Sequence, residues 1–228
     1  MELLMFAGAG SVGKTTLMEA CKDMAVARGL KVDMHHSSTR QSYANAGLTA
    51  ESDALKDPEF NRRFQHTVMA DNIEALHSVT MRAARAMDRQ DLVIADRSPY
   101  DYSGYYFTVF RDNLDLSLIA EKRKQCDESL MRLMQYANKI HVVMLPYPTS
   151  WAIDTESSDG WRADKTGKNF VWSSVIEAEL ADAKLRFATQ NTNVRDRITF
   201  GRLPSFMERG SPEARAVGAL AQVFPHLR

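Results

Sequence analysis

The 228-residue chain has no long apolar run, no surplus of charge of either sign and almost no cysteine. Each absence removes a class of function. A bilayer-spanning helix needs about 20 consecutive apolar residues, and no stretch approaches that, so no membrane partner is expected. Lysine plus arginine equals aspartate plus glutamate at 29 each, which excludes a protein that holds nucleic acid by bulk charge but leaves room for a local basic groove. The two cysteines, Cys21 and Cys126, both lie in helix-like segments and make no disulfide framework, so a reducing cytoplasm is the expected setting. No basic segment precedes the first apolar stretch and no small-residue cleavage site follows it, so no signal peptide is expected. What is present, 44% hydrophobic and 25% charged residues, suits an ordinary globular core.

Apolar runs of strand length alternate with longer stretches of helical period. Glu2 to Ala7, Lys31 to His35, Asp91 to Ala95 and Lys139 to Leu145 read as buried parallel strands, and Arg197 to Phe200 as a fifth. Thr15 to Arg28 sets Leu17, Met18, Cys21, Met24 and Ala25 at helical spacing and stops at Gly29. Asp57-Pro58-Glu59 opens a long helix with a cap, a first-turn proline and an early acid, and Leu116 to Ala137 forms another. Ser174-Val175-Ile176-Glu177 matches a capping box that opens a helix, and Ser211-Pro212-Glu213 starts the last one. The polar stretch at about 147–172 reads as an inserted lid. Strands alternating with helices imply right-handed βαβ units, hence a three-layer α/β fold in which helices cover both faces of a five-stranded parallel sheet, in one domain over residues 1–228.

Gly8-Ala9-Gly10-Ser11-Val12-Gly13-Lys14-Thr15 satisfies G-x-x-x-x-G-K-[ST] and sits between a strand and a helix, the context that motif requires. Its glycines let backbone N–H groups wrap phosphates, and the helix N-terminus adds partial positive charge. Lys14 is placed to reach β- and γ-phosphates and Thr15 to ligate Mg²⁺, with Gly8 to Thr16 forming the nucleotide site. The same residues also match G-x-G-x-x-G of dinucleotide folds. That reading wants an acid at the end of the second strand, where this chain has His35-His36, and it leaves Lys14-Thr15 without a task.

Leu92-Val93-Ile94-Ala95-Asp96 is an apolar strand ending in a carboxylate, which after a phosphate loop suits a magnesium site. A GTPase would carry an N-K-x-D guanine reader, and none is present; a motor or switch ATPase would carry a second acid here. Arg97 follows instead, and an arginine beside a metal carboxylate suits clamping of a transferring or acceptor phosphate. With these residues the chain resembles the P-loop nucleoside and nucleotide kinases. Asp96-Arg97-Ser98-Pro99-Tyr100-Asp101-Tyr102 is similar to the segment after the third strand in the branch holding ribosylnicotinamide kinases and phage kinases that phosphorylate 5-hydroxymethyluracil in DNA. Arg40 falls where that branch carries a substrate-side arginine, and Asp159-Gly160-Trp161-Arg162 resembles its lid. The resemblance spans roughly residues 1–185 and implies a P-loop NTPase fold, ATP and Mg²⁺, and a host cytoplasm if the chain is phage-encoded. Where the branch often has an acid near the end of strand two, this chain has His35, His36 and Ser37.

The expected catalytic group is Lys14, Asp96, Arg97 and Arg162, with Thr15 and Asp96 toward the metal. Arg162, Lys165 and Lys168 are lid cations that could cover the transfer and exclude water. On the acceptor side stand Arg40, His36, Phe64 (to stack on a ring), Gln65 (to hydrogen-bond it) and Tyr100. His35 and His36 point to opposite faces of a strand, which argues against their holding one metal. The expected partner is a nucleoside or nucleotide acceptor. The alternatives are a kinase acting on hydroxymethylated bases in DNA, which would need a strand groove and base extrusion, and a nucleotide-sensing regulatory module. A homodimer is compatible with all three.

Overall fold

The computed structural model describes residues 1–10, 12–48, 51–54, 56–147, 166–203 and 211–224. In chain order the elements are β1 (Glu2–Ala7), α1 (Lys14–Ala27), β2 (Val32–His35), α2 (Thr39–Asn45), α3 (Glu51–Ala54), α4 (Pro58–Arg85), β3 (Leu92–Asp96), α5 (Pro99–Val109), a 3₁₀ turn (Arg111–Asn113), α6 (Leu116–Leu133), β4 (Lys139–Met144), α7 (Thr166–Ala188), α8 (Thr192–Arg195), β5 (Ile198–Arg202) and α9 (Pro212–Val223). The strands form one five-stranded sheet in the order β2-β3-β1-β4-β5. Every neighbouring pair is parallel, with Phe6 opposite both Asp96 and Val143.

Side chains alternate along a strand, so each central strand feeds two cores. Leu3, Met5, Val93, Ala95, Ile140 and Val142 face one way and pack with Leu76, Leu130, Leu133, Ile176, Leu180 and Phe187. Leu4, Phe6, Leu92, Ile94 and Val143 face the other way and pack with Leu17, Met18, Cys21, Ala219 and Leu220. Burial on both faces is why these strands read as unbroken apolar runs. Cys21 and Cys126 are free and buried, and burial pushes both thiols up to about 12, well out of the reactive range.

The expected strands and the sheet are present. The helical expectations need correction. Ser174 does not open a helix: α7 begins at Thr166, and Ser174 Oγ donates back to Phe170 O at 3.0 Å from inside it, as mid-helix serines do. The stretch expected as a lid at about 147–172 therefore ends in the first turns of α7, and its remainder, with Arg162, lies outside the described residues. Four helices were not anticipated, α2, α3, α5 and α8. α5 opens with a reciprocal capping box between Ser98 and Asp101 and a first-turn proline.

Candidate active site

Parallel strands place their C-terminal ends at one edge, so the loop after β1 and the end of β3 must lie side by side. Gly8 leaves β1 with φ 149°, and a Cβ there would stand 2.9 Å from Leu145 O. Gly13 caps α1 at φ 79°, a left-handed conformation that glycine takes without penalty. Lys14 is buried, and its Nζ donates to Gly8 O and Ala9 O, both at 2.7 Å, so the lysine folds back across the mouth of its own loop. Thr15 and Thr16 are exposed in the first turn of α1. Ser11 lies outside the described residues.

Asp96 is the last residue of β3 and pairs in register with Phe6, two residues before Gly8. Its Oδ1 is buried and has no hydrogen-bond partner among the described residues. A buried carboxylate oxygen left unpaired costs roughly 1–3 kcal/mol or more, so such an atom calls for a water, an ion or a ligand group to satisfy it. Arg97 follows with φ 78°, alone in that region among described non-glycine residues, and donates its backbone N–H to Phe6 O at 3.0 Å. A non-glycine residue held there costs of order 1–3 kcal/mol and marks a constrained site. The turn aims its guanidinium over the rings of Trp172, at 4.9 Å, and Tyr102, at 6.0 Å.

Asp101, which the sequence reading quoted but gave no task, ties these parts together. Its Oδ1 accepts the Gly8 N–H at 2.8 Å, and its Oδ2 accepts Ser98 N–H and Ser98 Oγ–H at 2.8 and 2.7 Å. Trp172 Nε1 donates to the Asp101 carbonyl at 3.1 Å. Burial raises the Asp101 pKa, while Lys14, Arg97 and its three donors pull the other way. The first amide of the phosphate loop is thus fixed by a carboxylate from the far side of β3. The Ser-x-x-Asp pattern of a capping box was the available clue.

The acceptor-side residues divide. Ser37 Oγ receives the Tyr102 hydroxyl at 3.1 Å and donates to Asn72 Oδ1 at 3.1 Å, and Ser38 N–H donates to the same oxygen at 2.9 Å. The loop after β2 therefore carries a neutral hydroxyl and amide network that the sequence reading missed. His36 is exposed and His35 buried, so the two histidines do face opposite ways. Burial lowers the His35 pKa first; the Asp96 charge raises it and His36 lowers it. Arg40 is exposed on α2. Phe64 stacks on Phe60 at 5.7 Å and meets Tyr43 edge-on at 4.8 Å, and Gln65 donates to the Tyr43 hydroxyl at 2.7 Å, so both pin α2 to α4. Tyr100 does not reach the site: it is fully buried and its hydroxyl donates to Asp127 at 2.6 Å on the α6 side. Tyr102 takes the position beside Arg97 instead.

No family model matches the sequence, and no curated protein does. Solved structures do match in fold. One is the NadR protein in complex with NAD and AMP-PNP, at TM-score 0.56 and 13% identity, covering 97% of this chain and 49% of that one. Another is the NadR protein in complex with NR, at TM-score 0.54 and 13% identity, covering 97% and 50%. The chain shares the three-layer α/β fold of these structures, with its five-stranded parallel sheet. It spans about half the length of these structural relatives. Among its described residues, no helix is long and apolar enough to cross a membrane.

Magnesium takes oxygen ligands and keeps several waters, so it needs one or two carboxylates rather than a cage. No group of three or more His, Cys, Asp or Glu suited to a metal occurs among the described residues. Asp96 and Thr15 fit the sparser arrangement, offering an unpaired buried oxygen and an exposed hydroxyl at the head of α1.

Proposed function

We propose that the protein is an ATP-dependent kinase that transfers the γ-phosphoryl group to a hydroxyl of a nucleoside-type acceptor. The observation that carries this is the unpartnered Asp96 oxygen, held beside a complete phosphate loop and followed by a strained arginine. NadR, whose structures carry AMP-PNP, NAD and NR, supports a nucleotide-handling role for this fold. A hydroxyl acceptor is supported by the network of Ser37, Ser38, Asn72 and Tyr102, which offers neutral donors and acceptors rather than a cluster of cations.

In this reading Lys14 leaves the Gly8 and Ala9 carbonyls for the β- and γ-phosphate oxygens, exchanging neutral acceptors for charged ones. Asp96 holds the acceptor hydroxyl and takes its proton, or would serve as a magnesium ligand. Arg97 neutralises charge that develops on the transferring group, and its left-handed backbone keeps it preorganised there. Thr15 and Asp96 would hold magnesium, which when bound would neutralise charge on the phosphate oxygens.

The test is label transfer from γ-labelled ATP to a panel of nucleosides, deoxynucleotides, ribosylnicotinamide, and DNA with and without 5-hydroxymethyluracil. Labelled nucleoside is the expected product. Label on DNA alone would move the acceptor into a strand groove, and ATP hydrolysis with no labelled acceptor would refute the kinase reading. Lys14→Ala is expected to lose roughly 10²-fold or more in every activity.

A further inference from the structure

We propose that Arg215, in a C-terminal helix that no motif singles out, is a positioning residue of the phosphate loop. This rests on the reading of that loop as a triphosphate site. α9 lies on α1 through Ala216, Ala219, Leu220 and Val223, which pack with Val12, Leu17, Met18 and Cys21. The small side chains bring the two backbones close, with Cys21 Sγ 4.0 Å from Ala216 O. Arg215, one residue before Ala216, sends Nη2 to Val12 O at 3.1 Å, across 203 residues of sequence. Its Nη1 would stand 3.2 Å from a Cβ on Gly13.

A trans peptide holds its C=O and its N–H on opposite sides of the bond, and no cis peptide occurs among the described residues. Anchoring the Val12 carbonyl on the guanidinium therefore turns the Gly13 N–H away from α9. It also holds Gly13 at the φ of 79° from which α1 starts. Amides at such a turn are what phosphate oxygens meet, so Arg215 sets the aim of one donor without touching the ligand. It also adds a permanent positive charge behind the loop, in a fork geometry that lysine cannot reproduce. The C-terminal segment is then part of the nucleotide grip, although nothing in it resembles a nucleotide motif.

Affinity and stability separate this role from simple packing. Arg215→Met keeps the stem against α1 and removes the fork; Arg215→Lys keeps the charge and loses the fork. Isothermal titration with Mg·ATP is expected to show the Kd raised about tenfold in both, most in Arg215→Met, while the Tm without nucleotide stays close to that of the wild type. Cys21→Ala loosens the same helix pair without touching the loop, and is expected to lower Tm and leave Kd unchanged. Wild-type Kd in both arginine variants, or a Cys21→Ala Kd raised as far as that of Arg215→Lys, overturns the proposal. If Arg215→Met does not fold, Arg215→Lys decides alone. A wild-type protein that binds no Mg·ATP overturns the triphosphate reading and this proposal with it; binding by wild type with unchanged variants overturns this proposal only.

Discussion

Two polar regions of the molecule face different fates. At the α6–α7 flank, Arg123 pairs with Glu179 and Asp182, Arg186 grips Asp127 through two nitrogens at 2.8 and 2.9 Å and also meets Asp182, and Asp127 receives the Tyr100 hydroxyl. A cavity of about 540 Å³ opens there, with Leu116, Ile119, Met131 and Phe187 on its walls. At the edge of β1 and β3 the chain instead leaves Asp96 Oδ1 buried without a partner and bends Arg97 into a costly backbone state. The region with the cavity is the one whose charges answer each other. A cavity alone says little about binding, whereas an unmet polar atom at a sheet edge where ligands bind is a candidate contact.

The same substitution made in both regions should break this symmetry in opposite directions. Asp96→Asn removes a charge whose buried Oδ1 has no hydrogen-bond partner among the described residues, so Tm should hold or rise while kcat falls roughly 10²- to 10⁴-fold. Asp101→Asn comes next. All three groups facing that carboxylate are donors, so an amide must set N–H against N–H. About 2–3 kcal/mol of stability and a several-fold rise in KM for ATP are expected together, because Gly8 loses its anchor. Asp127→Asn, on the flank, should cost about 2 kcal/mol, or roughly 4–8 °C in Tm, and leave kcat/KM untouched. Tyr100→Phe, which deletes one hydrogen bond of that network, should cost about 1 kcal/mol with wild-type turnover. A loss of turnover in either flank variant would mean that Tyr100 communicates with its neighbour Asp101, and would end the division between the regions.

What the sequence disclosed follows from how each signal is stored. The central strands are buried on both faces and the phosphate loop is a local backbone device, so both are written in consecutive residues. α5 was not, because Tyr100, Asp101, Ser103, Gly104, Tyr106 and Phe107 bury it nearly all round and leave no apolar stripe to find. That helix also decides between two tyrosines. Residues two apart on a helix point about 200° away from each other, so Tyr102 faces Arg97 while Tyr100 faces α6. Without the helix the pair reads as one cluster. Ser174 misled for the converse reason: Phe170 and Val171, one turn earlier, are 50% and 39% exposed and break the apolar period inside a continuous helix. Asn72 and Arg215 had no local signature of these roles, since the loop groups they hold lie at least 34 positions away.

Acid gives the finest test, because one buried histidine lies beside Asp96 and another lies away from it, between α4 and α6. His35 ends β2 beside Asp96; His77, on α4, shares a hydrogen bond of 3.0 Å with Ser129 of α6. Burial holds both below the ordinary 6.5; Asp96 pulls His35 up and His36 pushes it down, while Arg132 pushes His77 down and Glu74 and Ser129 pull it up. Unfolded chains take up these protons near 6.5, and the folded protein does so only at lower pH. Between those points the unfolded state binds more protons, so stability is full above 6.5, falls as pH drops below it, and levels off once the native pKa values are passed. Melting curves from pH 7.5 to 5 should show that decline. His77→Gln should flatten it and leave the pH–rate profile in place, since nothing near Asp96 has changed. His35→Gln should flatten it as well but also move the acid limb of the rate profile, because the charge arriving on His35 faces the carboxylate that handles the acceptor. Equal rate profiles in the two variants would show that His35 and Asp96 titrate without sensing each other, and would detach the second strand from the chemistry.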